Sequence, residues 1–529
     1  MTVTDRLGRV ALIGLPVAFL AAFFLWPVVS ILWRGLAPDG NVDLFAIGAV
    51  AGDASLRSVA WFTFWQAAVS TLVTLALGLP GAYVLSRYRF HGRALLRALV
   101  TVPFVMPTVV VGAAFGALGV TRSITAILLA HAFFNYAVVT RTVGSLWAQL
   151  DDREQQAARV LGAGRARVFW SVTLPALRPA IGAAAAIVFL FCFTSFGVIL
   201  ILGGPGSSTI ETEIYRQTAQ QLDLQTAAVL SLLQLVAVLA VIGVSNRARR
   251  RQSAAASLRG GGEHTLPVRG RRRLVLAANL AVMGTLLGLP LAELVRRSLR
   301  GGLDGYRALT ATTSGFLEPP IDAVWTSLRF ALTATLLAVA IGGAAAVALT
   351  RTRRRHTRRW LDALVMLPLG ISAVTVGFGF LITFDSPPLE LRTSPAIIPI
   401  AHALVAIPFV VRLTVPVLDA IDPRQREAAA VLGASPRRVW QEIDLPIATR
   451  ALVVAAGFAA AISLGEFGAT LFIVRPDTTT LPVLIYRLLG RPGEAMFTQA
   501  MAASTILMIL TAVTVLAIER LRAPESAVF

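Results

Sequence analysis

The sequence predicts an all-α polytopic membrane protein of about twelve transmembrane helices, arranged as two parallel six-helix repeats. Three observations predict it. The 529-residue chain is 56% hydrophobic and only 14% charged, which leaves too little polar surface for a water-soluble fold of this length. Apolar stretches of about 20 residues, enough to cross a bilayer, recur from end to end. One signature also occurs twice, 271 positions apart: Gln156-Ala157-Ala158-Arg159-Val160-Leu161-Gly162 and Glu427-Ala428-Ala429-Ala430-Val431-Leu432-Gly433. Leu174-Pro175 and Leu445-Pro446 follow the two copies at the same distance. Duplication on this scale means two equivalent halves.

The spans fall near 11–33, 58–85, 95–118, 123–146, 180–202 and 224–245 in the first half. Those of the second half fall near 274–295, 326–349, 361–384, 395–417, 450–473 and 498–518. Pro103 and Pro107 lie inside the third. Proline is tolerated in a span when neighbouring helices satisfy the freed backbone groups. The first span follows Arg6 and Arg9 and lacks a small-residue cleavage site after it, so it reads as a retained helix. Matched positions run through His131/His402, Arg141/Arg412, Phe196-Gly197/Phe467-Gly468 and Ile214-Tyr215-Arg216/Ile485-Tyr486-Arg487. The halves are then 1–245 and 274–529, joined by a basic, glycine-rich stretch at 246–273 that reads as a flexible linker.

All 48 basic residues are arginine, and the net charge is +20. A chain without lysine cannot hold the phosphate-binding loop of an ATPase. The arginines sit in short loops between apolar spans, which is a topology signal and not a nucleic-acid interface. The densest clusters, at 87–97, 247–273 and 351–359, share one side. They orient the protein in the cell membrane with both termini cytoplasmic, Arg296, Arg297 and Arg300 being a local exception. The lone Cys192 cannot form an intrachain disulfide and reads as packing. Five histidines without clustered cysteines or carboxylates argue against a metal centre.

The duplicated loops, 152–175 and 423–446, lie between the fourth and fifth span of each half. Residues 427–432 are strong helix formers with small alanines, and Gly433 suits a left-handed helix end. Ser435-Pro436 then supplies a cap and a first-turn proline for a second short helix over 437–443. Gly164 replaces that serine in the first copy. The upstream spans have diverged between halves while the loops kept residue types and spacing. Two equivalent docking elements for two equivalent partners follow from that contrast.

At these loops the chain resembles the permeases of ATP-binding-cassette (ABC) importers, whose EAA loop carries Glu-Ala-Ala, three residues, Gly and a distal Leu-Pro. The second copy matches at Glu427, Ala428, Ala429, Gly433, Leu445 and Pro446. In the first, Gln156 replaces the acid ahead of Ala157, Ala158 and Gly162, and Glu154 lies two residues earlier. The resemblance implies the type I importer permease fold, with two ATPase subunits docked on the cytoplasmic loops and an extracytoplasmic solute-binding protein. It also implies that this chain is no enzyme and binds no cofactor, ATP and Mg being used by the ATPases. Leu85-Ser86-Arg87 and Leu349-Thr350-Arg351 correspond at a slightly shorter offset. The stretches Phe193-Thr194-Ser195-Phe196-Gly197, Gly203-Gly204-Pro205, Thr209-Ile210-Glu211 and Ile214-Tyr215 resemble the fused permeases of thiamine and thiamine-diphosphate importers. Those of ferric-iron importers are closely similar.

Glu466, a carboxylate within the eleventh span, and its counterpart Ser195 are candidate pathway residues. His131 and His402 are expected to hydrogen-bond between helices, and Thr209/Thr480 with Tyr215/Tyr486 to meet the binding protein. A twelve-helix secondary transporter is the competing architecture. The loop between spans two and three, residues 86–93, lacks the acid such proteins typically carry there, and that reading leaves the duplicated loops unexplained.

Overall fold

The computed structural model describes residues 3–37, 40, 45–253, 265–311, 318–352 and 354–521. Ten helices in it are long and apolar enough to cross a membrane, and two bent helix pairs bring the number to twelve. Eight of the expected spans appear as continuous helices, whereas the fifth and eleventh, expected at 180–202 and 450–473, end sooner, at Phe193 and Gly465.

The third and ninth spans depart from expectation: each is broken and sharply bent. Arg93–Val105 and Thr108–Ala117 meet at 102°, and Arg355–Gly370 and Ala373–Thr383 at 96°. At the first break Met106 is extended (ψ 140°) ahead of Pro107, as the ring of a following proline demands. At the second, Ser372 is extended, and its hydroxyl accepts from the Thr375 amide to start the new helix. Shorter helices, Gly197–Leu202 with Ile210–Arg216 and Gly468–Ile473 with Leu481–Leu489, follow the fifth and eleventh spans.

The chain forms two compact units, and they are not the two sequence halves. One comprises Met1–Gly48, Ile214–Leu232 and Gly301–Phe529; the other Ala49–Glu213 and Leu233–Arg300. The first span therefore packs with the second repeat, where Phe23 and Trp26 meet the ring of Phe384 at 5.6 and 5.7 Å. The seventh span (Arg271–Ser298) packs with the first repeat, against Thr108–Ala117 and Ala54–Arg87.

Within each unit the second and fourth spans of the repeat form the central crossing. A Cβ at Gly78 would stand 2.9 Å from Val139, and one at Gly342 would stand 2.9 Å from Val410. These are matched pairs, so both halves use a missing side chain to bring the same two backbones together. Each first span also carries a π-helical turn just ahead of a proline, Ala21–Leu25 before Pro27 and Gly284–Gly288 before Pro290. Proline cannot donate to the preceding turn, and the ladder widens there.

The stretch expected to be a flexible linker is partly ordered. The sixth-span helix continues to Ser253, residues 254–264 lie outside the described residues, and Leu266–Pro267 pairs in parallel with Tyr88–Arg89.

Candidate functional site: two matched loops

Both duplicated loops fold as a short helix, a sharp turn and a second helical turn. The first helices are Asp152–Val160 and Pro423–Val431. Asp151 and Asp422 begin them, each carboxylate accepting the amide two residues on at 2.9 Å. Gly162 and Gly433 end them at φ 84° and 82°, the left-handed conformation that glycine adopts without a Cβ penalty. The closing hydrogen bonds are the same in both copies. Gly162 N–H donates to Arg159 at 2.9 Å and Ala163 N–H to Ala158 at 3.0 Å; Gly433 donates to Ala430 and Ala434 to Ala429, both at 3.0 Å.

The second helical turns are Arg165–Val168 and Pro436–Val439. Ser435 caps its copy through the Arg438 amide, whereas Gly164 offers no side chain. The helix read at 437–443 is shorter than expected, because a π-helical turn takes over at Trp440–Asp444, matched by Phe169–Thr173. Both run into Leu-Pro, where the long fifth-position helices Leu174–Phe193 and Leu445–Gly465 begin.

The exposed faces carry the chemistry. Gln156 and Ala157, like Glu427 and Ala428, point away from the protein, while Ala158 and Ala429 are half-buried. Next to them stand two apolar pairs that motif reading did not single out. Val160 and Leu161 are 88% and 87% exposed, and Val431 and Leu432 both 87%. Each pair precedes its turn glycine, so the fold presents it at the tip. Four aliphatic side chains bared at matched tips form two small apolar knobs, each beside Gln156 or Glu427.

The residues expected in the pathway lie elsewhere, in two buried hydrogen-bond clusters built on the duplicated histidines. His131 bridges Ser70 (Nδ1, 2.9 Å) and Ser195 (Nε2, 2.8 Å). His402 bridges Ser463 (Nδ1, 2.7 Å) and Thr470 (Nε2, 2.8 Å). Both therefore link helices, as the sequence predicts. Glu466 is buried, with a carboxylate oxygen 3.3 Å from His402 Nε2. Its two oxygens accept the amides of Ala469 (2.8 Å) and Thr470 (3.0 Å), capping the helix Gly468–Ile473. Ser195 occupies the matched place in the first copy, and its hydroxyl pairs with His131 instead.

One outer-segment expectation needs correction. Thr209 and Thr480 are fully buried and cannot meet another protein, because each lies at the packed start of a helix. Tyr215 and Tyr486 are half-buried and hydrogen-bonded to each other, with Tyr215 edge-on to Phe472 at 5.5 Å. Among the described residues no group of three or more His, Cys, Asp or Glu side chains gathers as a metal site would require.

Comparison with known proteins matches this architecture. The family model described as "Binding-protein-dependent transport system inner membrane component" matches twice, over residues 75–251 and 323–523. The thiamine transport system permease protein ThiP of Escherichia coli is 29% identical over 474 residues, covering 84% of this chain and 85% of that protein. Its namesake in Brucella abortus is 27% identical over 539 residues, covering 98% and 96%. A probable ABC transporter permease protein of Sinorhizobium fredii is 24% identical over the full length of both. Two copies of one importer domain overturn the secondary-transporter reading, and the all-α polytopic fold is that of a type I ABC importer permease. The chain belongs to the family of binding-protein-dependent transport system inner membrane components and carries its domain in duplicate.

Proposed function

We propose that this chain forms the whole translocation pathway of an ATP-driven importer for thiamine or thiamine diphosphate. The observation that carries the reading is the pair of identically built loops, each baring a Val-Leu knob next to Gln156 or Glu427. Each loop docks one cytoplasmic ATPase subunit, which hydrolyses ATP with Mg; the permease itself holds no nucleotide. Buried in a cleft of the partner, each knob would contribute roughly 3–6 kcal/mol, at about 1.5–3 kcal/mol per aliphatic side chain. Glu427 adds an ionic contact that Gln156 cannot make. Closure of the ATPases draws the loops together, and the attached spans rock as rigid bodies around the pathway. For this to drive transport, the nucleotide states must differ in their affinity for the permease conformations.

The arginine clusters support a cytoplasmic position for the loops and both termini, with a solute-binding protein delivering its cargo to the opposite face. The thiamine permeases that the chain resembles along most of its length support the choice of solute. Affinity purification from the native membrane, with ligand analysis of the binding protein recovered, tests both levels. Two ATPase copies and a binding protein holding thiamine or its phosphates are expected. A binding protein loaded with ferric iron would move the solute alone, and recovery without any ATPase would overturn the reading.

A further inference from the structure

Both loops are tied to the rest of their repeat by an arginine at matched positions, yet through acids at unmatched ones. Arg87 ends the second span (Ala54–Arg87), and its side chain is only 5% exposed. It forms a salt bridge with Asp152, the first residue of the loop helix. Arg351 ends the eighth span (Asp322–Arg351) and lies over the Trp440 ring at 4.6 Å. It stands 3.6 Å from Asp444, which is 8% exposed and also accepts from Nε of Arg426, on the loop helix, at 2.8 Å.

The acids are not inherited copies of each other. The position matching Asp152 is Pro423, and that matching Asp444 is Thr173. Simple inheritance from a duplicated ancestor would leave the acids at equivalent sites. Here the connection from span end to loop is present in both halves although its chemistry differs. Arg93 and Arg97 stiffen the first anchor further by donating to the terminal carbonyls of Leu85 and Ser86 at 2.8 and 2.9 Å.

We propose that Arg87 and Arg351 are positioning residues that lock each loop helix to the second span of its repeat, so that displacing the loop moves that span with it. A buried arginine paired with one carboxylate suits this role. Sliding the first loop away would strand the Arg87 charge in a poorly solvated place, so the two elements move together or the pair breaks at high cost. Arg351, itself half exposed, holds its loop through the Trp440 ring and the buried carboxylate of Asp444. The inference rests on the reading that these loops dock ATPases, but concerns what happens on the permease side of that contact.

The test uses the full complex, with its ATPases and binding protein, in proteoliposomes, with thiamine as the probe. Arg87→Gln should retain the ATPases on purification, because the Val160-Leu161 knob is untouched, while thiamine imported per ATP hydrolysed falls about tenfold. Arg87→Asp alone should lose at least as much, and the charge exchange Arg87→Asp with Asp152→Arg should recover most of it. A merely structural role would lower the amount of folded complex and leave the transport-to-hydrolysis ratio of the surviving complex unchanged. The inference is overturned if Arg87→Gln leaves that ratio within about twofold, or if the exchange does no better than Arg87→Asp. If Arg87→Gln does not accumulate, Arg351→Gln decides on the same ratio, since that side chain is half exposed and its replacement leaves no buried arginine site empty. Failure of the native chain to retain ATPases would instead bring down the docking reading, and this inference with it.

Discussion

Replacing Val431 and Leu432 by alanine should weaken ATPase docking severely without harming the permease. The two changes remove five carbon atoms, at about 0.8 kcal/mol for each buried methylene equivalent. Complete burial in the partner thus makes the pair responsible for up to about 4 kcal/mol, or roughly a thousandfold in Kd. In the free chain both side chains are 87% exposed, so they contribute little to folding, and surface changes of this kind usually stay within about 0.5 kcal/mol. The assay is titration of the purified ATPase onto detergent-solubilised permease, followed by fluorescence anisotropy, with thermal unfolding of the free permease as control. To isolate one dock, the titration is made on a chain already carrying Val160→Ala and Leu161→Ala. A Kd within about threefold of the parent would mean that the knob does not enter the interface.

Glu427→Arg should abolish coupled ATP hydrolysis while insertion in the membrane is retained, and Gln156→Ala should be milder; equal, mild effects would undermine the docking assignment. Gly433→Ala forces φ 82° on a residue with a Cβ, at a cost of about 1 kcal/mol; coupling should fall by about tenfold at most, measured as uptake per ATP. Glu466→Ala removes the cap of Gly468–Ile473 and leaves His402 with altered partners; a loss of about 1–2 kcal/mol in stability is expected, read as a lower unfolding temperature. An unchanged melting point with a large rise in the KM for uptake would instead speak for a pathway role. Asp53 caps the second span, and its carboxyl is held below the ordinary aspartate range by the Ser55 hydroxyl, then by the Leu56 and Ser55 amides. A depressed folded-state pKa stabilises above the unfolded value and is lost as pH falls through the folded one. Amide exchange at Leu56 should therefore speed up only below about pH 4, and in Asp53→Asn it should not respond to pH in that way.

Short-range signals made the loops legible. The caps at Asp151, Asp422 and Ser435, and the left-handed Gly162 and Gly433, are local chemistry that any chain would follow. Span positions were legible too, since hydropathy alone determines them. The bend in the third span had a visible cause in Pro107, but the matching bend in the ninth turns on Ser372, which resembles any other serine until its hydroxyl is seen capping Thr375. The exchange of the first and seventh spans between compact units left no trace in the sequence, because an apolar helix does not encode its neighbour. Val160-Leu161 and Val431-Leu432 stood inside the signature, yet only the fold reveals that aliphatic residues in a helical pattern face outward. Glu466 looked functional as a lone carboxylate in an apolar run; its amide partners three and four residues on became visible only with the backbone.

The proposed function is movement of thiamine or its diphosphate at the expense of ATP hydrolysed by docked subunits. Its most direct test is uptake of labelled thiamine, and separately thiamine diphosphate, into proteoliposomes holding the permease, its ATPases and enclosed ATP, with the binding protein outside. Accumulation is expected to require ATP, the binding protein and intact Val160-Leu161 and Val431-Leu432 knobs, and to persist when ion gradients are collapsed. Accumulation driven by an ion gradient without ATP, or none of either compound by a complex that imports another solute, would contradict it.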